Sequence, residues 1–175
     1  MKIKMKNHIT TLNWHLLKAC NMRCKFCYAT FEDIKEKRLN FEEGKKLLAN
    51  LASVGMFKKI NFAGGEPTLI PFLPEYIQLS KDLGFETSIV TNGSQITEKW
   101  LDGLDGKLDI LTLSIDSLQD ETNLESGRSV HGKTISNEEY FNICKLVTSY
   151  GIHLKINTVV NKTNVSENLT YFRCV

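Results

Sequence analysis

The run Lys59-Ile60-Asn61-Phe62-Ala63-Gly64-Gly65-Glu66-Pro67 decides the fold. A short apolar and β-rich stretch, Lys59 to Phe62, stops at two glycines, and a helical pattern follows within a few residues. Pro74 suits a first helical turn, Tyr76, Leu79 and Leu83 share one face, and Gly84 can supply the left-handed cap. The same strand-then-helix grammar extends in both directions. Further strands are expected at Thr11 to Leu17, Glu86 to Thr91, Asp109 to Ile115 and His153 to Val160. Asn40 with Glu43, and Ser136 with Glu139, are capping-box pairs that open helices closed by Gly55 and Gly151; a shorter helix is expected between Gln95 and Leu104. Five strands alternating with helices imply an α/β fold with a parallel sheet, either doubly wound or curled toward a barrel, which periodicity alone does not separate.

The chain of 175 residues has room for one domain, taken as residues 1–175. Its 22 basic and 20 acidic residues are nearly balanced, so net charge argues for neither a nucleic-acid nor a membrane-surface partner. No stretch is long and apolar enough to span a bilayer, and a cytoplasmic location is expected. In a reducing compartment five cysteines, three of them within Cys20 to Cys27, favour a metal site over a disulfide framework.

The unusual residues gather at strand C-termini, the face on which barrels and open α/β sheets place their active sites. They are Cys20 to Cys27, Gly64-Gly65-Glu66-Pro67, Thr91-Asn92-Gly93, Ser114 with Asp116, and Asn157. Thiolates spaced C-x3-C-x2-C on one loop suit an iron–sulfur cluster or zinc, and three ligands on a four-iron cluster leave one iron open. A zinc knuckle completed by His15 or another cysteine is the rival reading; Cys144, on an apolar helix face, reads as core. Gly64 and Gly65 permit close backbone approach, and Glu66 offers a carboxylate to a cationic amine. Taken singly, Asn92 and Ser114 read as turn and strand-end residues and Asp116 as a helix N-cap. Lys155 is in phase with Asn157, and Asn13 with His15, so each pair points to one face of its strand, the expected barrel interior.

The cysteine spacing, with Phe26 before the last cysteine and Tyr28 after it, and the GGEP at 64–67 resemble the two signatures of the radical S-adenosylmethionine (SAM) superfamily. The resemblance sharpens to the viperin family, the SAM-dependent nucleotide dehydratases. It is carried by Asn13-Trp14-His15, Lys59 to Pro67, Thr91 to Ser94, Leu108 to Leu111, Ser114 with Asp116 and Ser117, Gly127-Arg128, Gly132-Lys133 and Lys155 to Asn161.

The resemblance implies a partial (βα) TIM-like barrel with a 4Fe-4S cluster on Cys20, Cys24 and Cys27. It implies SAM contacts at Phe26, Tyr28, Gly64, Gly65, Glu66, Asn92, Ser114 and Arg128. The implied reaction converts a nucleoside triphosphate, CTP, UTP or GTP, to its 3′-deoxy-3′,4′-didehydro form, a chain terminator in antiviral defence. Asn13, His15, Lys59, Lys133, Lys155 and Asn157 are the substrate candidates, since ammonium groups can meet phosphate oxygens. A flavodoxin or ferredoxin is the expected electron donor, and no general acid or base stands out. Ala63 replaces a serine of animal members, and the family's barrel is expected to continue beyond Val175. The competing expectations are another radical SAM reaction, such as peptide maturation, and an inactive cluster-binding fragment.

Overall fold

The computed structural model describes residues 10–28 and 38–167. Its centre is one five-stranded parallel sheet, β1 (Thr11–His15), β2 (Lys59–Ala63), β3 (Glu86–Thr91), β4 (Ile110–Ser114) and β5 (His153–Asn157), in the order β1-β2-β3-β4-β5. Strands adjacent in sequence are adjacent in space and the order never reverses. A doubly wound sheet would reverse it, so the arrangement is the singly wound one of a partial barrel.

The helices between the strands are α1 (Phe41–Val54), α2 (Leu73–Asp82), α3 (Glu98–Asp102), α4 (Asp120–Ser126) and α5 (Asn137–Ser149). Both expected capping boxes form: Asn40 with Glu43 opens α1 and Ser136 with Glu139 opens α5. Each satisfies backbone N–H groups that the first helical turn leaves without partners. The unexpected helix is α4, a seven-residue polar segment whose one apolar residue, Leu124, is exposed, so it leaves no amphipathic signature. The helix expected after β5, at Tyr171 to Val175, lies outside the described residues; before it, turns occupy residues 162–166.

Strand parity divides the sheet. Ile60, Phe62, Ile89, Leu111 and Leu113 face the helices and are wholly buried, with Tyr76 of α2 stacked 5.0 Å from Trp14. Cys144 lies in this core, as its helical phase indicated. The alternate residues form the other, concave face. In register across it lie Asn13, Asn61, Ser88, Ile110 and His153, then Thr112 beside Lys155 and Ser114 beside Asn157. Strands β1 and β5 end sooner than expected because the chain is diverted. After β1 it enters the cysteine loop, and after β5 the Val159 N–H turns to donate to Asp116 Oδ1 at 2.7 Å.

Candidate functional site

The cysteine loop is held from two sides by backbone. On one side it extends the β1–β2 pairing: Leu16 N–H donates to the Ala63 carbonyl (2.9 Å), Gly65 N–H to that of Leu17 (2.8 Å) and Glu66 N–H to that of Ala19 (2.9 Å). A Cβ on Gly65 would lie 2.0 Å from the Ala19 carbonyl oxygen, so only glycine allows this approach. On the other side Arg23 N–H donates to the Gly127 carbonyl (3.1 Å) and Lys25 N–H to that of Ser126 (2.9 Å). Gly127 closes α4 with φ +80°, and a Cβ there would meet the Arg23 carbonyl oxygen at 2.1 Å. Between these clamps Asn21 ties the loop to the end of β3. Its amide donates to Ser94 Oγ (2.8 Å) and accepts from Asn92 Nδ2 (2.8 Å).

Cys20 and Cys24 are half-buried and Cys27 is exposed. Burial pushes the Cys20 thiol up, against a hydrogen bond from Met22 N–H; burial also raises Cys24, against the nearby Arg128 charge. The three sulfurs lie within electrostatic reach of one another. Among the described residues no three Cys, His, Asp or Glu side chains converge on a point that would hold a single ion. A cubane needs no such point, because each thiolate takes a different iron. Three soft thiolate donors on one loop fit an iron–sulfur cluster, and loading it must release protons from the thiols.

Two buried polar centres stand behind the loop. Glu66, 1% exposed, accepts from Thr68 N–H (3.1 Å), Thr68 Oγ1 (2.5 Å), Thr91 Oγ1 (2.7 Å) and Asn92 N–H (2.7 Å). Both of its oxygens are engaged, so a bound amine would share them. Arg128 is buried against Asp116 (2.9 Å), donates to the Ser114 carbonyl (2.5 Å) and reaches Tyr140. Its Nε has no hydrogen-bond partner. Asp116 is not the expected helix N-cap: α4 begins after Gln119 without a side-chain cap, and Asp116 is spent on Arg128 and Val159 N–H. The Asn92 amide is likewise engaged, accepting from Ser94 N–H at 2.9 Å and donating to Asn21.

The other expected residues fall in two groups. Gly64, Gly65, Glu66, Asn92, Ser114 and Arg128 meet around the cysteine loop, with Phe26 half-buried in it and Tyr28, 86% exposed, at its far end. Asn13, His15, Lys59, Lys155 and Asn157 share the concave face. Lys59 stands at the N-terminal end of β2, the far end from the cysteine loop, and pairs with Glu86 at 3.4 Å. Lys133 belongs to neither group: it is exposed on the turn after α4 and pairs with Glu139 at 3.3 Å. A cavity of about 430 Å³ opens beside the loop, lined by Cys20, Asn21, Arg23, Gly127, Ser129 and His131 among others.

Sequence reasoning passed over Asn21 and Thr68, gave Asn61 no role, and placed Thr91 at a strand end without assigning it a partner. Asn61 donates to Asn13 Oδ1 at 2.9 Å and is in phase with Lys59, so the parity rule that paired Lys155 with Asn157 reaches it. No periodic pattern marks Asn21, Thr68 or Thr91, whose partners are distant in sequence.

Residues 14–169 match the family model described as the Radical SAM superfamily, and the chain belongs to that superfamily. Its members use an iron–sulfur cluster with SAM, and the fold and the three-cysteine loop agree. Within it, the chain is 45% identical to the S-adenosylmethionine-dependent nucleotide dehydratase of Lacinutrix mariniflava, over 94% of this chain and 36% of that protein. It is 43% identical to the protein of that name from Flammeovirga pacifica, over 95% of this chain and 59% of the relative. These relatives meet the viperin-family expectation, and the chain spans between about a third and three fifths of their length. The solved structure of anSMEcpe with bound AdoMet superposes with a TM-score of 0.72 at 21% identity, over 90% of this chain and 45% of that one, a likeness of fold. Among the described residues no helix is long and apolar enough to cross a membrane.

Proposed function

We propose that this chain is the core of a cytoplasmic nucleotide dehydratase. It holds a 4Fe-4S cluster on Cys20, Cys24 and Cys27, binds SAM at the adjoining rim, and lays a nucleoside triphosphate along the concave face. The observation that carries the reading is that face itself. The same strands whose helix-facing residues are apolar throughout present Asn13, Asn61, Lys59, Lys155 and Asn157 on the opposite side, along the face that ends at the cysteine loop.

When bound, the cluster and SAM supply a carbon radical able to take hydrogen from an unactivated C–H bond. The chain's own residues bind and orient. The ammonium groups of Lys59 and Lys155 are suited to phosphate oxygens, with Glu86 giving up its contact to Lys59. Asn13 and Asn61, locked together, offer fixed amide dipoles, and His15 and Asn157 stand nearest the cysteine rim, where the sugar would sit. Glu66 and Arg128 hold the rim loops in place with their buried charges matched by protein partners. The net change is loss of the ribose 4′ hydrogen and the 3′ hydroxyl, leaving the 3′-deoxy-3′,4′-didehydro nucleotide, and a flavodoxin or ferredoxin is the fitting electron source.

Anaerobic reconstitution followed by SAM, dithionite and CTP, UTP or GTP tests this by mass spectrometry. A triphosphate that has lost water, formed together with 5′-deoxyadenosine, is the expected result. Formation of 5′-deoxyadenosine with every nucleotide intact contradicts the substrate assignment.

A further inference from the structure

The segment after β5 is fastened to the loop after β4 through side chains. Asp116, 3% exposed, accepts from Val159 N–H through Oδ1 at 2.7 Å, and its carbonyl accepts from Asn164 Nδ2 at 2.8 Å. Asn164 is 1% exposed and also takes Asn161 N–H at 2.7 Å. Thr158 Oγ1 donates to the Ile115 carbonyl at 2.7 Å. Asp116 is thereby fixed, and through Oδ2 it faces the Arg128 guanidinium at 2.9 Å.

This buried pair stands against the cysteine loop. Residue 127, immediately before Arg128, packs so closely that a Cβ on it would lie 3.4 Å from Cys24 Cα. Both members are at most 4% exposed, so water screens their charges little. An iron–sulfur cluster changes charge by one unit on reduction, and its potential responds to net charge and hydrogen bonding around it. A lone buried cation at this place would stabilise the reduced cluster, and a lone buried anion the oxidised one.

We propose that Asp116 is a positioning residue that holds Arg128 beside Cys24 and offsets its charge, so that the pair sets the reduction potential of the bound cluster. Because Asp116 also holds Val159 N–H, two residues past Asn157, the same carboxylate joins the strand bearing Lys155 and Asn157 to the cluster side of the rim. The proposal rests on reading Cys20, Cys24 and Cys27 as cluster ligands, and does not depend on the identity of the nucleotide.

The test is an EPR-monitored redox titration of the reconstituted chain, without SAM or nucleotide, alongside iron and sulfide content. Asp116→Asn, Arg128→Gln, the double variant and the exposed control Glu121→Gln are compared with the parent. Asp116→Asn is expected to shift the midpoint positive, raising the ratio of reduced to oxidised cluster about tenfold at fixed potential, which is about 59 mV for one electron. Arg128→Gln is expected to shift it negative, the double variant to return close to the parent, and the control to stay unchanged. Shifts of the same sign in the two single variants, or none, at full iron content overturn the proposal. Should Asp116→Asn fail to load, loading of the double variant supports charge balance, since only the single variant strands a buried charge. Failure of both means that the pair serves the fold and overturns the tuning role. A parent chain that takes up no iron and sulfide contradicts the cluster reading, and this inference with it.

Discussion

The two faces of the one sheet are built from alternate residues of the same strands, yet they answer to different physics. On the helix side Ile60, Phe62, Ile89, Leu111 and Leu113 meet apolar side chains and no solvent, and their role is burial. On the concave side Asn13, Lys59, Asn61, Lys155 and Asn157 are exposed or half-exposed and contribute little to the core. Strand parity thus separates this burial from the polar face, and the two meet at the C-terminal rim, where Glu66 and Arg128 are both buried.

Substitutions on the two faces should therefore fail in different assays. The largest loss of stability is expected from Phe62→Ala, about 3–5 kcal/mol in urea unfolding of the metal-free chain. A change below about 1 kcal/mol would break the division of roles. Next is Glu66→Ala at the rim, which strands several buried donors at once and should cost about 3 kcal/mol while also loosening the cysteine loop from β3. Lys155→Ala, on the concave face, should leave stability within about 0.5 kcal/mol. It should weaken triphosphate binding about ten- to a hundredfold by calorimetry, the loss of one charge-assisted contact. Unchanged affinity would remove Lys155 from the site.

The smallest effect lies at the other end of the strands. Burial alone would raise the Asp109 carboxyl, but hydrogen bonds from Lys81 and Thr87 outweigh it and hold its pKa below the ordinary 3.8. A depressed carboxyl pKa stabilises the fold above the unfolded value and loses that contribution as pH falls through the folded value. The thermal midpoint of the parent should therefore drop below about pH 4 more steeply than that of Asp109→Asn. Parallel curves would show that the contact contributes nothing to stability.

Much of this was legible in the residues. The strands, the two capping boxes and the parity of Lys155 with Asn157 follow from local rules, because period and cap chemistry are local. The sheet order was not, since barrel and doubly wound sheets share the same local pattern; it emerges only from strand pairing. The rim was legible in part. Gly65 announced a close approach, but its reason, the Ala19 carbonyl, lies 46 positions earlier in the chain. Asp116 looked like a helix cap because the sequence shows a short acidic residue ahead of a polar stretch and hides both Arg128 and Val159. The partners of Glu66 and Asn21 are likewise long-range, and a single buried charge leaves no periodic trace.

We propose that the loop from Cys20 to Cys27 carries a cluster with an open iron. Iron, sulfide and zinc analysis of the anaerobically reconstituted chain, with EPR of the reduced protein before and after SAM, tests it most directly. About four irons and four sulfides per chain are expected, with a SAM-dependent change in the signal, and loss of both in Cys24→Ala. Stoichiometric zinc without sulfide, or an unaltered spectrum in Cys24→Ala, would contradict it.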